Sequence, residues 1–319
     1  MESKGGQTQP RRMSGEREDG ETAEPAESQA FGVALDKLMA AEAEAELAAE
    51  TQGGRAGGTL LPRVLRECIA YLWRNGLDTE GLFRRSPPST ALRAAKLRYS
   101  RGQAVDLDAA GVHVAAVLLK VFFRELPDAV FGGGYAAVRA LPVARVGKDA
   151  ETDAETEVDA EELRARMEEM RTRYVREEIV APLSKATRHA LCATFALLHA
   201  VARNEARNRM TAYSLAVVWA PNLARSADPA EDVAMCAAGP AAATVGGVVQ
   251  IMVQAFGAVF AAEISDLCAG AEGEGERQDE SERQDESEAV GGGNSGGIHN
   301  GNDDAASRVL AAIARSGTS

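Results

Sequence analysis

Apolar positions along the chain recur at helical spacing. After Leu61-Pro62, where proline suits a first helical turn, Val64, Leu65, Cys68, Ile69 and Leu72 fall on one face, and Asn75-Gly76 ends the run. Pro87-Pro88 bars immediate continuation of a helix. Ser89 or Thr90 can then cap a segment carrying Leu92, Ala95, Lys96 and Tyr99, closed by Arg101-Gly102. Val112 to Arg124 reads as a strong helix, with Val114, Val117, Leu118, Val121 and Phe122 on a wide apolar face. His113, Lys120 and Arg124 lie along another side, because four residues make about one turn. Asp159 and Glu162 form a capping-box pattern before a thin stripe of Leu163, Met167, Met170 and Tyr174, and alternating charge elsewhere on that helix suggests a surface position. Thr187 to Arg203 predicts a core helix through Leu191, Phe195, Leu198 and Val201. The turn Asn208-Arg209-Met210-Thr211 leads into a helix from Leu215 to Trp219, ended by Pro221-Asn222-Leu223. Pro240 opens a last one, with Val245, Val248, Val249, Met252, Phe256 and Phe260 as its apolar positions. No segment alternates long enough for a strand, so the fold class is all-α: a single helical domain over residues 31–264.

The flanks read differently. Residues 1–30 are polar, with almost nothing large to bury, and are expected to be a disordered tail. Phe31-Gly32-Val33-Ala34-Leu35 starts the folded part, Ala40 to Glu50 has little apolar face, and Gly53 to Gly58 is a break. An acidic insert spans about residues 149–169; its first part, to Asp159, has acids at nearly every second position and is expected to be a solvated loop. Residues 265–319 are expected to be an acidic and Gly-rich disordered tail, in which Glu276-Arg-Gln-Asp-Glu-Ser repeats from Glu282. A short helix from Asp304 to Arg315 is marginal at that length.

Composition narrows the function classes. Aromatic residues make up 5% of the chain, so the core is mostly Ala, Leu and Val. A net charge of −13 argues against a general nucleic-acid binder. Cys68, Cys192, Cys236 and Cys268 are too scattered for a C-x-x-C motif and suit a reducing cytosol. The polar N-terminus is unlike a signal peptide. Val233 to Ala262 carries no charge, but its Ala, Gly and Pro content and lack of basic flanks favour a buried helix over a membrane span.

Intrinsic enzyme motifs are missing: there is no G-x-x-x-x-G-K-[ST], no H-E-x-x-H and no recognisable nucleophile motif, and no metal ligands are assigned. Attention falls on Thr79 to Ser86, Thr-Glu-Gly-Leu-Phe-Arg-Arg-Ser. There Arg84 follows Leu82 and Phe83, two residues able to anchor an interhelical connection to the core. A guanidinium is always charged and can donate to several phosphate oxygens. Composition alone would make Arg84 a solvated surface residue.

The order of motifs resembles the RhoGAP domain, the GTPase-activating module for Rho-family proteins. The resemblance runs through Phe31-Gly-x-x-Leu35, Leu61-Pro62, Glu80-Gly-Leu-Phe-Arg-Arg-Ser86, Val105-Asp-Leu107, Leu118-Leu-Lys-x-Phe-x-Arg-Glu-Leu-Pro127, Asn208-x-Met210 and Leu215-Ala-Val-Val-x-x-Pro-Asn-Leu223. It implies a protein that binds a GTP-loaded Rho-family GTPase and inserts Arg84 as a finger in trans, with GTP and Mg²⁺ belonging to the partner and no cofactor of its own. It further implies Arg85, Lys120, Arg124, Asn208, Ser214 and Val217 as partner-binding residues, no nucleic acid, no transmembrane segment, and a cytoplasmic protein recruited to membranes through its GTPase.

Two positions depart from the family pattern. Ser86-Pro87 stands where Ser-Gly is usual, and Ser214 stands where an asparagine usually helps organise the site. Proline has no N–H and a fixed φ, and serine is shorter than asparagine. The alternative is therefore a catalytically weakened module of the same fold that docks a GTPase or acts as a scaffold.

Overall fold

The computed structural model describes residues 30–50, 61–132, 135–143, 154–239, 242–275 and 300–316. The expected N-terminal tail up to residue 29, the Gly53–Gly58 break, Pro240 and the repeat after Glu276 lie outside the described residues. Among the described residues there are helices and no strand; one isolated parallel bridge joins Phe131 to Ala224.

The helices follow in order: α1 (Leu35–Glu50), α2 (Arg63–Asn75), α3 (Ser89–Ser100), α4 (Leu107–Ala110), α5 (Val112–Arg124), α6 (Ala136–Arg139), α7 (Ala154–Tyr174), α8 (Lys185–Arg203), α9 (Glu205–Asn208), α10 (Ala212–Leu223), α11 (Pro229–Met235), α12 (Val245–Gln254), α13 (Phe256–Val259), α14 (Ala261–Gly275) and α15 (Asn300–Ser316). A π-helical turn, Val175–Val180, continues α7.

The core is built from the periodic faces. Val64, Leu65, Cys68, Ile69 and Leu72 of α2 are buried against α5 and α8. Leu191, Phe195, Leu198 and Val201 of α8 are fully buried, as are Val245, Val248, Val249, Met252, Phe256 and Phe260. Each such side chain contributes roughly 1.5–3 kcal/mol when removed from water. α10 lies between α5 and α12 and brings Trp219 to the centre, where Phe83, Phe122 and Phe123 are also buried.

The uncharged stretch Val233 to Ala262 is broken rather than continuous. α11 stops at Met235, Thr244 caps α12 by accepting the Gly247 N–H (3.1 Å), and the chain bends again at Ala255. Among the described residues, no helix is long and apolar enough to cross a membrane.

Three boundaries differ from expectation. The first part of the acidic insert is not all loop: α7 begins at Ala154 and is helical to Tyr174. α10 begins at Ala212 rather than Leu215, because Thr211 caps it, and it continues through Pro221. The largest correction concerns the C-terminus. The fold does not end at residue 264: Ile264, Leu267 and Cys268 of α14 are buried, and α15 packs on α2, α8, α13 and α14 through Ala306, Val309, Leu310 and Ile313.

α15 is keyed in place by polar contacts. His199 Nδ1 faces the Val253 carbonyl at 2.8 Å and its Nε2 faces Asp303 at 3.0 Å, while Arg203 reaches the same carboxylate at 3.0 Å. Asn302 Oδ1 accepts the Gly257 N–H at 3.0 Å; a Cβ at Gly257 would lie 2.3 Å from that oxygen. Marginal helix propensity is overcome by tertiary burial of one face.

Candidate functional site

The connection between α2 and α3 is tied to three separate parts of the chain. Its turn begins at Gly81, whose φ of +69° suits a residue without a Cβ. The Gly81 N–H donates to the Asn208 carbonyl (2.8 Å), and the Gly81 carbonyl accepts the N–H groups of Arg84 (2.9 Å) and Arg85 (3.1 Å). The loop therefore closes on itself within five residues.

Phe83 has a φ of +68°, an unusual conformation for a bulky residue that persists only where surroundings dictate it. They do so from two sides. The Phe83 ring is completely buried and meets Trp219 edge to face, with centroids 5.3 Å apart. The Phe83 carbonyl accepts from Lys120 Nζ at 2.6 Å. Leu82 is also completely buried. With Leu82 and Phe83 anchored inward, Arg84 is left exposed, and its guanidinium has no hydrogen bond or ion pair among the described residues. A free guanidinium on a braced backbone is suited to meet an external anion.

Lys120 lies half-buried on α5, and burial, then the neighbouring Arg124, hold its ammonium below the ordinary lysine range. Its short bond to the Phe83 carbonyl makes it a support for the loop. Arg124, one turn further, is exposed; its carbonyl accepts from Arg225 Nη1 (3.1 Å). Arg85 is exposed and only loosely paired with Glu80, at 3.6 Å. A surface pair of that kind contributes little.

Asn208 is placed differently from expectation. It is fully buried and presents no side-chain atom to a partner's surface. Its Nδ2 donates to the carbonyls of Leu77 (2.7 Å) and Val201 (2.8 Å), and its Oδ1 accepts the Met210 N–H (2.8 Å). Asn208 thus joins the end of α8, the Arg84 loop and the entrance to α10. An asparagine fits because it donates twice and accepts once from a single planar group.

Ser214 is half-buried in the first turn of α10, where Thr211 Oγ1 accepts its N–H and donates to its Oγ, both at 3.0 Å. Its hydroxyl serves the helix cap. Val217 is 44% exposed, too open for a core residue. Pro87 has no positive φ imposed on it; the loop takes those at Gly81 and Phe83 instead.

Two residues of this region were not singled out from sequence. Tyr213, 51% exposed, precedes Val217 by one helical turn and extends the apolar surface of α10. Arg225 Nη2 donates to the carbonyls of Leu126 and Pro127, both at 2.5 Å, pinning the C-terminal end of α5 to the end of α10. Tyr213 was findable as an aromatic at i−4 from Val217, whereas nothing local marks Arg225.

The structure thus brings Gly81, Phe83, Lys120, Asn208 and Trp219 together beneath Arg84, while Val217 and Tyr213 stand on the open side of the helix that carries Trp219. Comparison with known proteins identifies the family of the fold that carries this arrangement. The RhoGAP domain family matches residues 62–228, just over half of the chain. Rho GTPase-activating protein 1 of Homo sapiens is 39% identical over 105 residues, covering 33% of this chain and 21% of that protein. Rho GTPase-activating protein gacY of Dictyostelium discoideum is 30% identical over 164 residues, covering 51% and 20%. The chain therefore spans about a fifth of the length of these relatives. Among solved structures, human Rho GTPase activating protein 15 superimposes with a TM-score of 0.53 at 19% identity, over 73% of this chain and 93% of that one, a likeness of fold.

Proposed function

The chain belongs to the RhoGAP domain family, and from that premise we propose that it stimulates GTP hydrolysis by a Rho-family small GTPase, with Arg84 as an arginine finger supplied in trans. The observation that carries the proposal is the lock on Phe83. Its ring is fixed by Trp219 and its carbonyl by Lys120, so the next side chain projects outward from a backbone with little freedom. Ordering a flexible arginine at the moment of reaction would consume binding energy; a braced loop has met part of that cost on folding.

The GTPase would hold GTP, Mg²⁺ and the attacking water. Arg84 would donate to phosphoryl oxygens as charge develops on them, an effect worth roughly 10³ to 10⁵ in rate. Val217 and Tyr213 would dock against the GTPase, with Arg85 and Arg124 as outer contacts. Lys120 and Asn208 would act through the loop as positioning residues. No step needs a cofactor held by this chain.

Ser214 favours a second reading, in which the domain binds the GTPase without accelerating it, because its hydroxyl is engaged by Thr211. Single-turnover GTP hydrolysis by a panel of Rho-family GTPases, with the full chain and its Arg84→Ala variant, separates the two. Stimulation that collapses in Arg84→Ala while binding persists supports the finger. Binding without stimulation by the wild-type chain supports the second reading.

A further inference from the structure

We propose that the outward face of α7 is a docking site for an acidic amphipathic helix of a partner protein. The inference is independent of the Arg84 site. From Glu161 to Met170, every residue of α7 is exposed except the partly covered Met167. Leu163 is 60% exposed and Met170 37%. Helices in proteins draw most of their stability from packing of an apolar face.

The apolar stripe shares in anchoring α7 only at its last residue: Tyr174 is half-buried against the core and its hydroxyl donates to the Ala137 carbonyl at 2.9 Å. Thr172 and Val175 enter the core, and Arg171 Nη2 donates to the Ala242 carbonyl at 3.1 Å. At about 100° per residue, Thr172 and Val175 point roughly 110 to 170° away from the line through Leu163, Met167 and Met170. From Leu163 to Met170 the apolar stripe therefore faces outward, with spacings of four and three, the pattern of a helix–helix seam.

Charge selects the occupant. The exposed positions beside the stripe are Arg164 on one flank and Arg166 and Arg173 on the other. Glu161, Glu168 and Glu169 lie further round the helix. Arg166 is partly neutralised by Glu162 at 2.7 Å, but Arg164 and Arg173 have no acidic partner among the described residues. A second copy packed antiparallel about Ala165 would set Arg164 and Arg166 against their own counterparts, which is unfavourable. An anionic lipid surface would meet a narrow stripe without exposed aromatics, on a helix whose other side carries four glutamates. A helix with leucines along its seam and acids at the flanking positions satisfies both the stripe and the arginines.

The test uses the full chain and two labelled synthetic helical peptides with Leu at the seam, one with Glu and one with Lys at the flanking positions. By fluorescence anisotropy the Glu peptide should bind at least about tenfold more tightly than the Lys peptide, a difference of about 1.4 kcal/mol. Leu163→Asp should abolish that binding, and Arg164→Glu combined with Arg173→Glu should reverse the preference. These side chains are exposed, so the variants should keep the helical circular dichroism of the wild type. No binding, equal binding of both peptides, or binding insensitive to Leu163→Asp would overturn the proposal. So would a homodimer in sedimentation that Leu163→Asp dissociates, which assigns the face to a second copy. Capture by phosphatidylserine vesicles without capture of the Glu peptide would overturn it in favour of a lipid surface.

Discussion

The Arg84 loop and the C-terminal helix α15 are held by opposite means. The loop is short, its backbone takes positive φ at Gly81 and Phe83, and it is fixed by the Gly81 N–H donating to the Asn208 carbonyl and by Lys120 Nζ donating to the Phe83 carbonyl. α15 is regular helix along its length and is fixed by burial of Val309, Leu310 and Ile313 against α2 and α8. One region spends local strain to aim a side chain, and the other uses apolar area to complete the core. Damage to the first should therefore change activity more than stability, and damage to the second should do the reverse.

The sharpest separation should come from Arg84→Ala. Stimulated GTP hydrolysis should fall by about 10³-fold or more. The urea midpoint should stay put, because the guanidinium makes no hydrogen bond or ion pair among the described residues. An equal loss of binding and rate would place Arg84 in docking rather than catalysis. The opposite extreme is Leu310→Ala, which should cost about 2–5 kcal/mol of stability by leaving a cavity between α15 and the core. Stimulation per folded molecule, measured well below the unfolding transition, should remain at the wild-type level.

Lys120→Met lies between the two and tests the division most directly. It removes the donor from the Phe83 carbonyl, a loss on the order of 1–3 kcal/mol in loop positioning, equivalent to roughly 5- to 150-fold in rate. Its effect on stability should be smaller than that, because burial already disfavours the charged ammonium there. A large fall in stability with unchanged kcat would break the comparison.

The smallest effect concerns pH and the back of the molecule. Asp266 on α14 accepts from Lys185 (3.0 Å) and faces His189 (3.2 Å) on α8. Hydrogen bonds from Lys185 and then His189 hold its carboxyl below the ordinary range. Burial holds the His189 imidazole below its own ordinary range, partly opposed by Asp266. A lowered folded pKa means that the unfolded chain binds more protons. The stability from His189 is present above its unfolded value of about 6.5 and is lost as pH falls through the folded one, and Asp266 follows below about 4. The urea midpoint should thus decline modestly between about pH 7.5 and about pH 5, and His189→Gln should flatten that slope. A midpoint that rises on acidification would contradict the sign.

Much of the core was legible in the sequence. The faces of α2, α8 and α12 were read from spacing alone, since each buries the same positions in any helix that presents them to a core. The identity of Arg84 came from motif order, and its free guanidinium could be inferred from the inward pull of Leu82 and Phe83. Asn208 was misjudged as a surface contact because its three bonds run to Leu77, Val201 and Met210, and one of these is more than a hundred residues away in sequence. Arg225 gave no signal because its acceptors are main-chain carbonyls, which carry no residue identity.

What the sequence determined by itself was the helical period, the stops at proline and glycine, and the pair of anchors that precede Arg84. These are local properties, set by backbone sterics and by which side chains avoid water. Tertiary structure decided the rest. It drew α15 into the core, where propensity alone left it marginal, and it turned the stripe of α7 outward from Leu163 to Met170 while tucking its last residue, Tyr174, against the core. It also forced Phe83 into a conformation its side chain would not choose, because only the combined hold of Trp219 and Lys120 outweighs the cost of that backbone.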